Sequence, residues 1–489
     1  MKKIIIYIIP FLLIFVVGCK KDYLETKPSN GVTQVAILSK VSTVNASLDG
    51  VYKALFGATA TDCFGQKSFD LMNDLMGNDM VVHSVGYGWF NTTYAYTAWG
   101  LATTGSQSDN GWYYYYDIIK QVNNILAIID GVSDASVAQK ELVKGQCLGL
   151  RAYAYYYLIN YDQQTYKGNE TKPGVPLYTT VSTEGKGRGT VQQVYTQIIA
   201  DLTQAETLLT GKARASKVNI DVSVVQGFRA RVALVQEDWA TAATYAAKAR
   251  TGYTLMSSSV YPSLSAFSSI ANPEWMWGSL IPADQATIYA SFFSFVDVRT
   301  GGYAALGGQR KITKALYDQI PATDVRKTVF KAPGTGVTPN VDYNQLKHQV
   351  PTAGSWAADY LYMRAAEMYL IEAEAQARQA KDALARTALE ALVVTRNPAY
   401  SAASFSGAGL VTEILLQRRI ELWGEGFSLM DIKRLNQGLD RPTGTGNHGL
   451  PSFNAAVYTT SPADPRFLMR IPQRELDNNA NMTPADQNL

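Results

Sequence analysis

ARVALVQEDWATAATYAA, residues 230–247, is the stretch on which the fold turns. Ala230-Arg231-Val232-Ala233-Leu234 is the core of one apolar run, and Ala242-Ala243-Tyr245-Ala246-Ala247 is the core of a second, with Asp238-Trp239-Ala240 between them. This pattern predicts two adjacent helices with small residues where they cross, which lets their backbones approach closely. Asp221 stands just before the first run and is suited to cap its N-terminus. Residues from Asp221 to Arg250 therefore read as one helical hairpin of tetratricopeptide type.

The same texture extends in both directions. Upstream, helices are expected over Ser39–Ala54, Phe69–Met76, Trp112–Ile129, Ala138–Tyr161 and Val191–Leu209. In Ala138–Tyr161, Val143, Cys147, Leu150, Ala154 and Leu158 recur at spacings of three and four, which buries one stripe. Downstream, Tyr360–Gln379 and Ala383–Thr395 repeat the theme with Ala365-Ala366-Glu367 and Glu372-Ala373-Glu374-Ala375. Spacing is irregular, so the expectation is a mainly α scaffold of tetratricopeptide-like hairpins with a long, irregular, loop-rich ligand face. Pro173-Gly174-Val175-Pro176 forbids helix in the Gly168–Gly189 stretch. Residues 252–357 and the tail from 437 to 489 are poor in helical pattern, and long loops of that kind usually carry function.

The N-terminus is an address. Lys2 and Lys3 precede an apolar run from Ile4 to Val17 that stops at Gly18-Cys19. A positive segment, a 14-residue apolar run and a small residue make a secretory signal, too short to span a bilayer. A cysteine directly after the small residue makes it a bacterial lipoprotein signal, with acyl chains expected on Cys19. The organisation read from the chain is thus a signal peptide over 1–18 and a lipidated tether over 19–38. A helical part over 39–251 follows, with an aromatic loop at 77–112, then a loop-rich insertion at 252–357, helices over 358–436 and an irregular segment over 437–489.

Composition narrows the function. Of 489 residues 47% are hydrophobic and 17% charged, which suits a large globular body. The formal charge of +3 falls to +1 without Lys2 and Lys3, which argues against nucleic-acid binding. Besides Cys19 only Cys63 and Cys147 exist, so no disulfide framework is implied. His83, His348 and His448 lie far apart and no ligand spacing joins them, so no metal or cofactor is expected. A calcium site built from loop oxygens such as Asp79 would leave no signature. Gly444-Thr445-Gly446-Asn447-His448-Gly449 matches a dinucleotide motif literally, but no strand precedes it and no helix follows, so it reads as a loop. Glu421 and Glu425, four apart, would share a helix face, whereas a glycosidase needs two carboxylates flanking the bond. With Arg418 and Arg419 beside them they read as structural ion pairs, and no catalytic residue is assigned.

The aromatic stretch is the strongest site signal. Between Gly77 and Trp112 stand Asn78-Asp79, Tyr87-Gly88-Trp89-Phe90-Asn91, Tyr94, Tyr96 and Trp99, among Gly, Thr and Asn and without helical period. Sugar rings present apolar faces that stack on aromatic rings, while amide and charged side chains take the hydroxyls. Trp89 and Trp99 are expected to stack on sugar, Phe90 and Tyr94 to assist, and Asn91 and Arg310 to bond hydroxyls. Tyr303, in a Gly-rich loop with Arg310, joins them, Trp356 is a weaker candidate, and Trp275 and Trp277 read as structural.

Several motifs, in order, then point to a family. Cys19-Lys20-Lys21-Asp22-Tyr23-Leu24-Glu25 opens the mature chain, and Arg151-Ala152-Tyr153-Ala154-Tyr155-Tyr156-Tyr157-Leu158 is followed by Gly174-Val175-Pro176-Leu177. Asn272-Pro273-Glu274, Tyr362-Met363-Arg364-Ala365-Ala366-Glu367-Met368-Tyr369-Leu370 and Arg418-Arg419-Ile420-Glu421-Leu422 come next. Glu425-Gly426, Asp431, Arg434, Arg470-Ile471-Pro472, Glu475 and Asn478-Asn479-Ala480 complete the set. The chain resembles the SusD/RagB family of Bacteroidetes outer-membrane lipoproteins over nearly its full length. The resemblance implies a helical fold with tetratricopeptide-like hairpins and a non-enzymatic role. It also implies capture of oligo- or polysaccharide at the cell exterior and delivery to a TonB-dependent SusC-like transporter. The alternative is a scaffold or transporter lid that binds only protein or peptide. The matched motifs belong to the scaffold, so the site residues above rest on chemistry and position.

Overall fold

The computed structural model describes residues 40–97, 103–449 and 457–488. The signal segment, Cys19, the tether and Trp99 lie outside them. In chain order the helices are α1 (Val41–Ala54), α2 (Gln66–Leu75), α3 (Asn91–Tyr94), α4 (Gln107–Ile128), α5 (Val137–Asp162), α6 (Val191–Leu209), α7 (Val222–Gln236) and α8 (Trp239–Ala249). They continue as α9 (Phe292–Val296), α10 (Lys314–Tyr317), α11 (Ala365–Ala377), α12 (Asp382–Val393), α13 (Gly407–Glu421), α14 (Ser428–Arg434) and α15 (Gln473–Asn478). Among the described residues six short strands accompany them: β1 (Met80–Val82), β2 (Pro173–Pro176), β3 (Arg188–Thr190), β4 (Trp275–Ser279), β5 (Arg310–Ile312) and β6 (Tyr360–Arg364).

The hairpin over 222–249 forms as its sequence dictates. Asp221 accepts a hydrogen bond from Val224 N at 3.0 Å and starts α7. Glu237 turns left-handed at φ 59°, and Asp238 accepts from Thr241 N at 3.2 Å to start α8. Two residues thus reverse the chain, and the alanines that face the crossing (Ala230, Ala233, Ala242, Ala246) are buried. Asp238→Ala should cost about 1 kcal/mol of unfolding free energy by loss of the cap, read by urea titration. An unchanged midpoint would mean the turn, not the cap, sets the reversal.

Other helices stack onto this pair in sequence. α1 packs on α4, α4 on α5, α5 on α6, α6 on α7, α8 on α11, and α11 on α12 and α13. The buried stripe of α5 includes Val143, Cys147, Leu150, Ala154 and Leu158. Cys63 and Cys147 are both free and buried, and desolvation pushes both thiols well above their ordinary range. Neither should react with a thiol reagent until denaturant is added; prompt labelling of the folded protein would contradict this burial.

Two expectations are corrected. The helix placed over Tyr360–Gln379 begins only at Ala365, because Tyr360–Arg364 is a buried strand antiparallel to β4, with Gly278 opposite Leu361 and Ser279 opposite Tyr360. Aromatic residues at alternate positions suit a strand, and Ala365 N closes the corner on Glu274 O at 3.0 Å. Glu421 and Glu425 do not share a helix face either. α13 ends at Glu421, and Gly424 and Gly426 take φ of 80° and 92° just after it.

Beyond the helices, β1 and β5 pair antiparallel with Val82 opposite Arg310. That pairing clips the loop after β1 to the loop before β5, and the site is built there.

Candidate functional site

Tyr303 is the hub of an aromatic cluster on the surface. Phe295 stacks beneath it, with centroids 5.0 Å apart and planes 19° from parallel. Tyr87, Trp89 and Tyr289 surround it at 5.6, 5.9 and 5.3 Å, and Trp356 extends the row at 6.1 Å from Tyr289. Tyr87 is 69% and Tyr289 44% exposed, while Trp89, Tyr303 and Trp356 are half-buried. Val85, Ile288 and Leu306 are also exposed on these loops. Five rings held at stacking distances, with faces or edges in water, form an open platform.

Local chemistry holds it. Phe90 sits left-handed at φ 62°, which turns its ring inward against Phe295 at 4.9 Å and leaves its neighbour Trp89 outside. Asn91 Nδ2 donates to Val85 O at 2.9 Å and closes the loop that carries Tyr87 and Trp89. Ser84 Oγ donates to Gly307 O, and His83 N to Gln309 O at 3.0 Å, which binds the two loops together. Gly86 is required here, since its φ is 49° and a Cβ on it would stand 3.2 Å from Gly308 N.

Of the expected contacts, Trp89 and Tyr303 come together on the platform. Phe90 is corrected: at 2% exposure its ring is core, packed on Phe64 and Phe295. Tyr94 is corrected likewise. It is 1% exposed, stacks on His448, bonds that ring through its hydroxyl, and lies 4.5 Å from the Arg441 guanidinium. Arg310 is 2% exposed and so offers no solvent-facing donor to a surface hydroxyl. Asn91 supports the loop with its amide and does not stand free. Tyr289 was missed, although it fits the criterion that flagged the others: an aromatic ring in a non-periodic Ser- and Thr-rich loop.

Other candidates are engaged elsewhere. Asp79, the possible calcium ligand, gives both carboxylate oxygens to Arg419, at 2.6 and 2.9 Å. Among the described residues no three His, Cys, Asp or Glu side chains converge to hold a metal ion. A cleft of about 600 Å³ opens between α13, α14 and residues 437–440, and four of its charged groups pair within the wall, Arg419 with Asp79 and Arg418 with Asp431. The Gly444–Gly449 stretch is a loop that folds His448 back against Tyr94, with neither strand before it nor helix after it among the described residues.

Glu421 and Glu425 are indeed ion-paired, though not to Arg418 and Arg419. Glu421 accepts from Arg364 at 2.7 Å, Arg396 at 3.0 Å and Arg326 at 3.3 Å. Glu425 accepts from Arg364 at 2.7 Å and from Lys347. Despite burial, these cations hold Glu421 well below the usual carboxylate range and Glu425 down to about 2. Neither can hold the proton that a general acid must donate near neutral pH.

With the geometry in hand, comparison with known proteins identifies the lineage. A family model described as starch-binding and associating with the outer membrane matches residues 22–234, and the SusD family model matches residues 311–489. The chain belongs to the SusD family. Among solved structures it is similar to a SusD-like carbohydrate-binding protein from Bacteroides vulgatus, with 27% identity, a TM-score of 0.79, and coverage of 92% of this chain and 98% of that one. A SusD superfamily protein from Bacteroides thetaiotaomicron shares the fold at 21% identity and a TM-score of 0.79, covering 92% and 100%. Surface glycan-binding protein A from the same organism shares it at 17% and 0.70, covering 92% and 99%. No curated protein matches the chain. The mainly helical SusD fold is thus the fold of this protein, and SusD family descriptions place its relatives at the outer membrane.

Proposed function

We propose that this protein is a glycan-binding lipoprotein of the outer-membrane surface, anchored through Cys19, that captures oligo- or polysaccharide without cleaving it. The single observation that carries this reading is the exposed platform of Tyr87, Trp89, Tyr303, Tyr289 and Trp356, an open row of rings suited to successive sugars rather than one enclosed molecule. The family description and the carbohydrate-binding relative at 27% identity support it. The bound chain would pass to a TonB-dependent SusC-like transporter, with the stacked helices as the docking body. The structural use of Glu421 and Glu425 fits a binder rather than a hydrolase.

Isothermal titration of the mature protein against a polysaccharide panel tests the proposal, with parallel assay for released reducing ends. Saturable binding of at least one polymer and no reducing-end release are expected. Tight association with the transporter and no saccharide binding across the panel would favour the protein-only alternative.

A further inference from the structure

The platform is short of free polar side chains. Segments 84–91, 287–291 and 301–309, which carry four of its rings, contain no Asp, Glu, Lys or Arg. Their small polar side chains are spent on the loops themselves. Ser84 Oγ donates to Gly307 O, Asn91 Nδ2 to Val85 O and Thr287 Oγ1 to Ala290 O. Ser291 Oγ accepts from Ser294 N, and Gln309 Nε2 donates to Pro339 O. The side-chain hydrogen-bonding groups left in these segments are the hydroxyls of Tyr87, Tyr289 and Tyr303 and the indole N–H of Trp89. Both group types donate well.

Aliphatic side chains fill the places where polar ones would serve a bare sugar. Among the described residues thirteen large hydrophobic side chains are exposed, and five of them lie on these segments: Val85, Tyr87, Ile288, Tyr289 and Leu306. They are gathered, not scattered, which marks a surface that meets a ligand. Val85 and Leu306, 38% and 45% exposed, belong to loops that touch, since a Cβ on Gly307 would stand 3.6 Å from Gly86 Cα. Ile288, 52% exposed, precedes Tyr289, whose ring meets Tyr303 at 5.3 Å. Unmodified hydroxyls pressed on such side chains would lose water without gaining partners. An O-acetyl ester reverses that balance. Its methyl group gains from aliphatic contact, and its carbonyl oxygen, which only accepts, suits a surface whose free groups are phenols and an indole.

We infer that the platform selects neutral glycans carrying O-acetyl groups. Their methyls would pack on Val85, Ile288 and Leu306, their ester carbonyls would accept from the tyrosine hydroxyls or the Trp89 indole, and the sugar rings would stack on the aromatic faces. This rests on the glycan-binding reading above.

The test is titration of the full mature protein with acetylated glucomannan and acetylated xylan oligosaccharides, each against the same preparation after alkaline deacetylation. At least one acetylated form should bind about fourfold or more tighter than its deacetylated partner, the factor that one buried methyl group supplies. Val85→Ser, Ile288→Ser and Leu306→Ser together should bring that ratio close to one with an unchanged melting temperature, and Leu306→Ser alone should lower it part-way. Equal or tighter binding of the deacetylated forms overturns the inference while leaving glycan binding intact, as does persistence of the ratio in the triple variant. Equal binding of both forms with loss of transporter association in the triple variant would assign the aliphatic side chains to a protein partner instead. Binding of another polysaccharide of the panel but of none of these four also overturns the inference alone. No binding to any saccharide sinks this inference and the glycan reading together.

Discussion

Glu421→Gln is expected to destabilise the fold by about 3–5 kcal/mol, the largest effect of any single change argued for this protein. Glu421 is completely buried and its two oxygens meet Arg326, Arg364 and Arg396 at 2.7–3.3 Å. An amide keeps the shape but removes the charge, so three buried guanidinium groups would be left with too little anion. Arg364→Met should cost a similar amount, since it strands Glu274, Glu421 and Glu425 at once. Urea unfolding measures both, and a loss under 1 kcal/mol for either would show the cluster to be electrostatically slack. Acid should act in the same direction. Glu425 ionises near 2 in the folded protein against an ordinary 4.5, so the folded state binds fewer protons than the unfolded one in that window. Its contribution is whole above about 4.5 and disappears as pH falls toward 2.

That cluster also shows where the sequence could be read and where it could not. Helices α5, α6, α7 and α8 were legible because their periods and caps are local: Asp221 and Asp238 sit beside the amides they cap. Ionic partners are not local. Glu421 lies 95, 57 and 25 residues from Arg326, Arg364 and Arg396, whereas the adjacent Arg418 and Arg419 turn to Asp431 and Asp79. Nothing in a one-dimensional pattern favours the distant arginines over the near ones.

The candidate site divides in the same way. Composition around residues 77–112 and the Gly-rich stretch near Tyr303 pointed to two loops that the fold brings together. It could not separate Trp89 from Phe90, adjacent residues of the same chemistry. The separation comes from the left-handed backbone at Phe90, which directs one ring into the core and the other to water. Tyr94 and Arg310 were assigned to the surface on chemistry and position in the chain, and tertiary burial reversed both. Tyr289 and Trp356 join the platform only because the chain folds their loops onto Tyr303.

Removal of two platform rings is the second large effect expected. Trp89→Ala with Tyr303→Ala should weaken the best glycan of the panel by about 5- to 150-fold, equal to roughly 1–3 kcal/mol when each ring contributes about 0.5–1.5 kcal/mol. Trp89 and Tyr303 are neighbours at 5.9 Å, so a sugar that spans them loses both faces at once, and the two effects need not add. Tyr94→Phe is the matched control. It deletes the hydroxyl that bonds His448 inside the core, so it should lower stability slightly and leave affinity unchanged. Full affinity in the double variant, with the fold verified by thermal melt, would remove the platform from glycan recognition. Lost affinity in Tyr94→Phe alone would move the site inward, toward the face where Tyr94, His448 and Arg441 meet. The two variants therefore distinguish a surface that stacks sugars from an interior that merely supports it.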